Sequence, residues 1–219
     1  MVLFRMRNLI LISCLFLVFS GCNISLFHPY HKVKNDGIVH NLSSFFNNVD
    51  SSYLYQAEIR FMKNYYSGIM VLKPQNDSLT RVVFMTEMGI KIFDFEISNP
   101  LKYKNNFKVY YIMEPMSKKI IQKTLATDIG LLLLDGNNFP VNNYIDNNEK
   151  QIVRVKNHGK RFFYMFGKDH QQYNQIKVNT RCHKKTEVDF YRYQNQSPDS
   201  IKINHFGIKL SYTFRRLKQ

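Results

Sequence analysis

From Tyr53 onward the chain alternates apolar and polar side chains with a period of two, and the pattern recurs with little room between repeats. In the segment Tyr53–Phe61 the odd positions Tyr53, Tyr55, Ala57, Ile59 and Phe61 are apolar, while Gln56, Glu58 and Arg60 are polar. That is the signature of a strand with one buried and one solvated face. Further strand patterns lie at 65–73, 81–86, 90–97 and 107–113, with turn chemistry at Pro74-Gln75-Asn76-Asp77 and Met88-Gly89. After a polar loop at 135–150 they resume at 151–155, 161–166, 175–179, 187–193, 200–204 and 208–214. The connections are too short for crossover helices, so successive strands must pair antiparallel.

Two segments depart from this period. Asn41–Val49 spaces Leu42, Phe45, Phe46 and Val49 as a short helix would. Ser117–Leu134 places Ile120, Ile121, Leu125, Ile129 and Leu132 on one helical face, with Ser117 as N-cap and Gly136 near the stop. Its Leu131–Leu134 run also reads as a buried strand. The expectation is a mainly β fold: an incomplete antiparallel β-barrel of about eleven strands, with a short N-terminal helix and a lid helix near 117–134. No internal repeat or linker divides it, so residues 38–219 form one half-barrel domain.

The N-terminus carries a different signal. Arg5 and Arg7 precede an apolar stretch, Leu9–Phe19, too short to span a bilayer. It runs into Ser20-Gly21-Cys22, which resembles the lipobox of bacterial lipoproteins, although Phe19 departs from the aliphatic residue usual there. Residues 1–21 are therefore expected to be a lipoprotein signal peptide, Cys22 the lipidation site, and 22–37 a lipidated tether. Each buried methylene contributes roughly 0.8 kcal/mol, so two or three acyl chains of palmitate type would anchor the protein stably. Loss of Arg5 and Arg7 lowers the formal charge from +15 to +13. The excess is scattered, with no long basic block, and nucleic acid is a poor partner for an exported chain. An anionic membrane surface or acidic envelope proteins fit better. Cys14 leaves with the signal and Cys22 is acylated, so Cys182 has no partner for an intramolecular disulfide.

Little in the chain points to catalysis. The seven histidines are scattered, and neither an HExxH helix nor paired CxxC motifs occur, so no metal or other cofactor is expected. Cys182-His183 places adjacent side chains on opposite faces of an extended segment, which keeps the imidazole from the sulfur. Asp94 and Glu96 share one strand face, where pairing across to Lys or Arg is the simpler use than glycoside hydrolysis. With nine glycines and no GxSxG elbow, the chain also lacks a phosphate-cradling loop. A non-enzyme is expected.

Three stretches carry a family resemblance. They are 66–74 (YSGIMVLKP), 81–94 (RVVFMTEMGIKIFD) and the closing pair 198–204 with 208–212. Together with the strand order they resemble the LolA/LolB group of lipoprotein carriers and receptors and related envelope lipoproteins of Gram-negative bacteria. An anchored chain is more similar to LolB. The resemblance implies a half-barrel whose cavity holds acyl chains or lipoproteins, and a membrane-anchored lipoprotein facing the periplasm. The absence of an acidic run in Asn23-Ile24-Ser25 agrees with that orientation, and the outer membrane is the expected location. An exposed apolar residue in an early loop would help insert cargo; Met88 matches that place, with Leu79 as a second candidate. Cavity walls could come from Phe61, Met70, Phe84, Phe93, Phe95, Val109, Tyr111, Phe163, Met165 and Phe190, with Ile121, Leu125 and Ile129 lining the lid. Arg60 or Arg81 could hold the lid in the unloaded state. The same residues could instead pack as a dry core, leaving a non-catalytic envelope adaptor.

Overall fold

The computed structural model of the protein describes residues 30–33, 41–103, 107–167, 172–180, 183–194 and 197–217. The expected signal segment, Cys22, most of the expected tether and Cys182 lie outside the described residues. Every one of the eleven strand patterns forms a strand. In chain order these are β2 (Tyr53–Phe61), β3 (Asn64–Asn76), β4 (Leu79–Met85), β5 (Lys91–Ser98), β6 (Phe107–Ile112), β8 (Gln151–Asn157), β9 (Lys160–Phe166), β10 (Tyr173–Asn179), β11 (Lys184–Gln194), β12 (Ser197–His205) and β13 (Leu210–Arg216). Two more strands are added. The two-residue β1 (His31–Lys32) comes from the expected tether, and β7 (Val141–Ile145) from the polar loop. All five residues of β7 are half-buried, so it carries no alternation to read.

These thirteen strands form one antiparallel sheet in the order β1-β7-β8-β9-β10-β11-β12-β13-β2-β3-β4-β5-β6. β1 and β6 are its two ends, so the sheet is an incomplete barrel. Its concave face is apolar. The odd residues of β2, the even residues of β3 from Gly68 to Pro74, the even residues of β4, and Phe93, Phe95 and Ile97 of β5 point inward and are buried. Aromatic rings fill much of this face: Phe93 stacks on Phe95 at 4.7 Å, and Phe84 lies 5.4 Å from Phe93. A smaller cluster of Ile152, Phe163 and Met165, with Tyr30 and Tyr144 against it, occupies the other face.

The expected helix at Asn41–Val49 does not form. Leu42 and Phe46 are buried, but the segment is irregular. Its polar residues take the backbone elsewhere: Asn41 Oδ1 accepts from Ser43 N–H and Asn48 Oδ1 from Asp50 N–H. The Leu42 N–H donates to Asn137 Oδ1, and the Ser44 hydroxyl donates to the Leu132 carbonyl. Local side-chain bonds of this kind compete with a helix ladder. The later helix does form, as α1 (Lys119–Gly130), followed by a 3-10 turn at Leu131–Leu133. Lys118 rather than Ser117 stands at its N-cap, with no side-chain cap bond. α1 packs on β5 and β6, and it is the one α-helix among the described residues.

Gly68 of β3 lies tight against the backbone at the end of β4. A Cβ there would sit 2.0 Å from the Met85 carbonyl oxygen and 2.8 Å from Thr86 Cα, both backbone atoms that cannot swing aside. Gly68→Ala is therefore expected to lower stability by about 3 kcal/mol, at the upper end for overpacking. Chemical denaturation checks this, and Ala57→Gly on the paired strand, which removes a methyl rather than adding one, should cost less.

Candidate functional site

The site is the interior of the half-barrel together with the helix that covers it. Ile121, Leu125, Ala126 and Ile129 of α1 are buried against the concave face, and Leu131–Leu134 continue inward. All of these belong to one core cluster with Phe61, Met70, Phe84, Phe93, Phe95 and Phe190, and Val109 packs against it half-buried. Three wall candidates stand elsewhere. Phe163 belongs, with Met165, to the cluster on the opposite face. Tyr111 is 45% exposed because a bulge between Asp94 and Phe95 shifts the register of β6. Past that bulge the inward residue is Ile112 rather than Tyr111.

One polar group interrupts the apolar face of the helix. Asp128 is fully buried, and its carboxylate accepts a hydrogen bond from the Thr186 hydroxyl at 3.1 Å and from the Tyr212 hydroxyl at 3.4 Å. His205 Nδ1 lies 3.1 Å from the same carboxylate. With the carboxylate accepting, the ring carries its hydrogen on Nδ1. Burial first, then the Asp128 charge and hydrogen bond, push the Tyr212 phenol well above its ordinary value, so it remains a donor. Three strands, β11, β12 and β13, thus hold the helix through one side chain. Lys160 adds a basic neighbour: burial, then Lys185 and Lys123, hold its ammonium below the usual value. A nucleophile relay would use both ring nitrogens of His205. Here Nδ1 faces both Asp128 and Thr186.

The arginines expected to hold the lid do not. Arg81 bonds Asp94 on the outward side of β4 and stacks over the Tyr110 ring at 3.5 Å. Arg60 lies over Tyr65, 5.7 Å from its centroid. Asp128 was legible as an acid seven residues after Ile121 and three after Leu125, on the apolar stripe itself. Its partners, on strands about 60 to 85 residues further on, had no such signal.

The loop candidates occupy opposite ends of β4. Met88 is 90% exposed at the tip of the β4–β5 turn, beside Gly89 at φ +82° and Ile90 at 57% exposure. Leu79, half-buried, begins β4 at the far end, roughly 25 Å away along the strand. The carboxylates of β5 are engaged. Asp94 pairs with Arg81 and with Lys91 at 2.9 Å, and Glu96 accepts from the Tyr110 hydroxyl at 3.2 Å. No group of metal-ligating side chains occurs among the described residues.

No protein-family model matches the chain, and no curated protein does. Solved structures do. A DUF1329 family protein from Desulfovibrio piger aligns with a TM-score of 0.52 at 9% identity, over 78% of this chain and 86% of that one. A LolA superfamily protein from Nitrosomonas europaea aligns at 0.49 and 6% identity, covering 79% and 87%. An outer membrane lipoprotein-sorting protein domain from Vibrio parahaemolyticus aligns at 0.42 and 10% identity, covering 77% and 84%. At such identities the likeness is one of fold. The open antiparallel sheet with a helix over its mouth is the architecture that the LolA/LolB resemblance implied.

Burial would raise the Asp94 carboxyl, but hydrogen bonds from Arg81 and Lys91 outweigh it and hold it below the usual range. A carboxyl lowered on folding contributes stability above its unfolded value of about 3.9, and the contribution is lost as pH falls through the folded value. Asp94→Asn is expected to cost about 1.5 kcal/mol at neutral pH, the low end for a charged hydrogen bond because Lys91 is partly exposed. It should flatten the acid limb of a stability-against-pH curve, which denaturant melts at several pH values would show.

Proposed function

We propose that the protein is a membrane-anchored, periplasm-facing module that binds acyl chains or lipoproteins and passes them to or from the membrane, without covalent chemistry. The observation that carries this reading is the helix clasp. A half-barrel with an apolar interior is covered by one helix, and that helix is held on its far side by a single buried carboxylate. With the helix in place the interior is filled by Leu125, Ile129 and Leu131–Leu134. A ligand would take the volume these side chains vacate, so binding and lid opening are one event. The lipobox-like Cys22 would supply the anchor and Met88 the apolar tip that enters the bilayer, with the outer membrane as the favoured location; Leu79 is the weaker choice because it is half-buried.

Tyr164 supports the same reading. Its ring is fully buried, its hydroxyl has no hydrogen-bond partner among the described residues, and it sits where a Cβ on Gly136 would be 3.1 Å from it. A buried hydroxyl left unsatisfied costs about 1–3 kcal/mol. An ester or amide carbonyl at the head of an acyl chain would satisfy it. Tyr164→Phe is accordingly expected to raise stability by about 1 kcal/mol and to weaken acyl-ligand binding several-fold; thermal melts and a fluorescent fatty-acid titration read the two effects separately.

The direct test is mass spectrometry of lipids and lipopeptides extracted from the full chain carrying Cys22→Ser, whose own anchor cannot enter the extract. Stoichiometric acyl ligand, lost on Leu125→Asp with the sheet intact by circular dichroism, is the expected result. A ligand-free protein that also takes up no added lipopeptide would leave the envelope adaptor, a filled core docking acidic proteins, as the better reading. Asp128→Asn keeps the shape of the clasp and removes its charge. It should cost about 1–2 kcal/mol and raise uptake of an acyl probe; unchanged uptake would show that Asp128 is not the restraint.

A further inference from the structure

At the end of the sheet that carries Met88, a second exposed apolar group stands over a basic groove. Met62 occupies the β2–β3 turn and is 65% exposed, and Phe206 in the β12–β13 turn is 50% exposed. The two turns are joined directly, since the Met62 N–H donates to the Lys209 carbonyl at 2.8 Å. Between them lies a groove of about 570 Å³, lined by Arg60, Met62, Lys184, His205, Phe206 and Lys209 among others. Lys184 Nζ sits 4.0 Å from the centroid of the Phe206 ring. The acid in the groove, Glu187, is already engaged by Lys177 and Lys184. Lys63 and Lys185 are exposed at the neighbouring turn and strand start. Free positive charge and apolar tips therefore share one surface.

Met62 has φ +55°, in the left-handed region that Gly or Asn would occupy more easily. The turn thus carries a long apolar side chain where both backbone and solvent disfavour it. Because antiparallel strands return their turns to the same end, the β12–β13, β2–β3 and β4–β5 turns lie along one rim. At about 4.8 Å per strand the rim runs roughly 20 Å from Phe206 past Met62 to Met88 and Ile90. Apolar side chains set among lysines are what a protein presents to the interface of an anionic bilayer.

We infer that this rim, centred on the Met62–Phe206 groove, is a docking surface for an anionic phospholipid leaflet, distinct from the N-terminal anchor and from the interior of the half-barrel. It does not rest on lipid carriage, since a domain with a filled core would dock in the same way. If carriage holds, docking sets the clasp against the bilayer: His205 lines the groove and its Nδ1 faces Asp128 on the lid.

The chain contains no Trp, so a single introduced Trp reports its own surroundings. The full chain carrying Phe206→Trp is mixed with phosphatidylcholine vesicles, with or without phosphatidylglycerol, whose chains are brominated. Tyr191→Trp, on a side chain 49% exposed within β11, serves as the control. Emission from the Phe206→Trp chain should move to the blue and be quenched by phosphatidylglycerol vesicles, while that from the Tyr191→Trp chain changes little. Adding Lys184→Glu with Lys209→Glu should weaken this response about tenfold or more. Met62→Asn, which suits the left-handed turn, should weaken the response with no loss of thermal stability. Equal quenching in the two chains would mean that the anchor alone tethers a freely turning domain. A response of the Phe206→Trp chain to polyglutamate but not to vesicles would assign the rim to an acidic protein. Quenching that persists after the vesicles are spun out would come from lipid held inside. Each of these three results overturns the docking surface, and only the last would support carriage.

Discussion

A long open sheet with one apolar face has to bury that face, and this chain supplies a single α-helix among its described residues to do it. Most of the structure follows from this constraint. Many of the inward residues of β2 to β5 are large or aromatic, among them Tyr55, Phe61, Phe84, Phe93 and Phe95, because the helix alone cannot fill a half-barrel. Leu131–Leu134 follow the helix inward for the same reason, and Leu42 and Phe46 close over them from the irregular segment before β2. Tyrosine hydroxyls add long-range ties: Tyr55 donates to the Pro198 carbonyl and Tyr173 to the Ser43 carbonyl, both with partners far away in sequence.

Into this apolar fit the chain inserts a carboxylate. A buried Asp needs hydrogen-bond donors, and Thr186, Tyr212 and His205 supply them to both carboxylate oxygens. An apolar residue at 128 would hold the helix at least as firmly, since buried polar clusters often stabilise less than hydrophobic packing. What a polar clasp adds is a contact that opens without leaving apolar surface bare at that point, and that depends on geometry from three strands at once. Tyr164, buried without a hydrogen-bond partner among the described residues, is the complementary feature.

Much of this was legible in the residues. The eleven strands could be read because most of them bury one face only, which forces alternation, and the helix because its stripe recurs at helical spacing. β7 and β1 could not, since a half-buried strand and a two-residue strand leave no period. The helix expected over 41–49 failed because its Asn and Ser side chains bond the local backbone, an effect invisible to hydrophobic spacing. Tyr111 was misplaced by a one-residue bulge, and Phe163 because strands β8 and β9 bury residues on both faces. The clasp was half legible: an acid on an apolar stripe marks a partner to be found, while long-range pairing decides which one.

On the proposed function α1 is a separately opening lid and not simply the last piece of a core. Amide hydrogen exchange under native conditions measures this most directly. Amides of Lys119–Gly130 should exchange through a local opening, with protection well below that of β2 and β13, and Asp128→Asn should speed exchange in the helix alone. Helix amides that exchange only with global unfolding, at the same protection as the central strands, would contradict it.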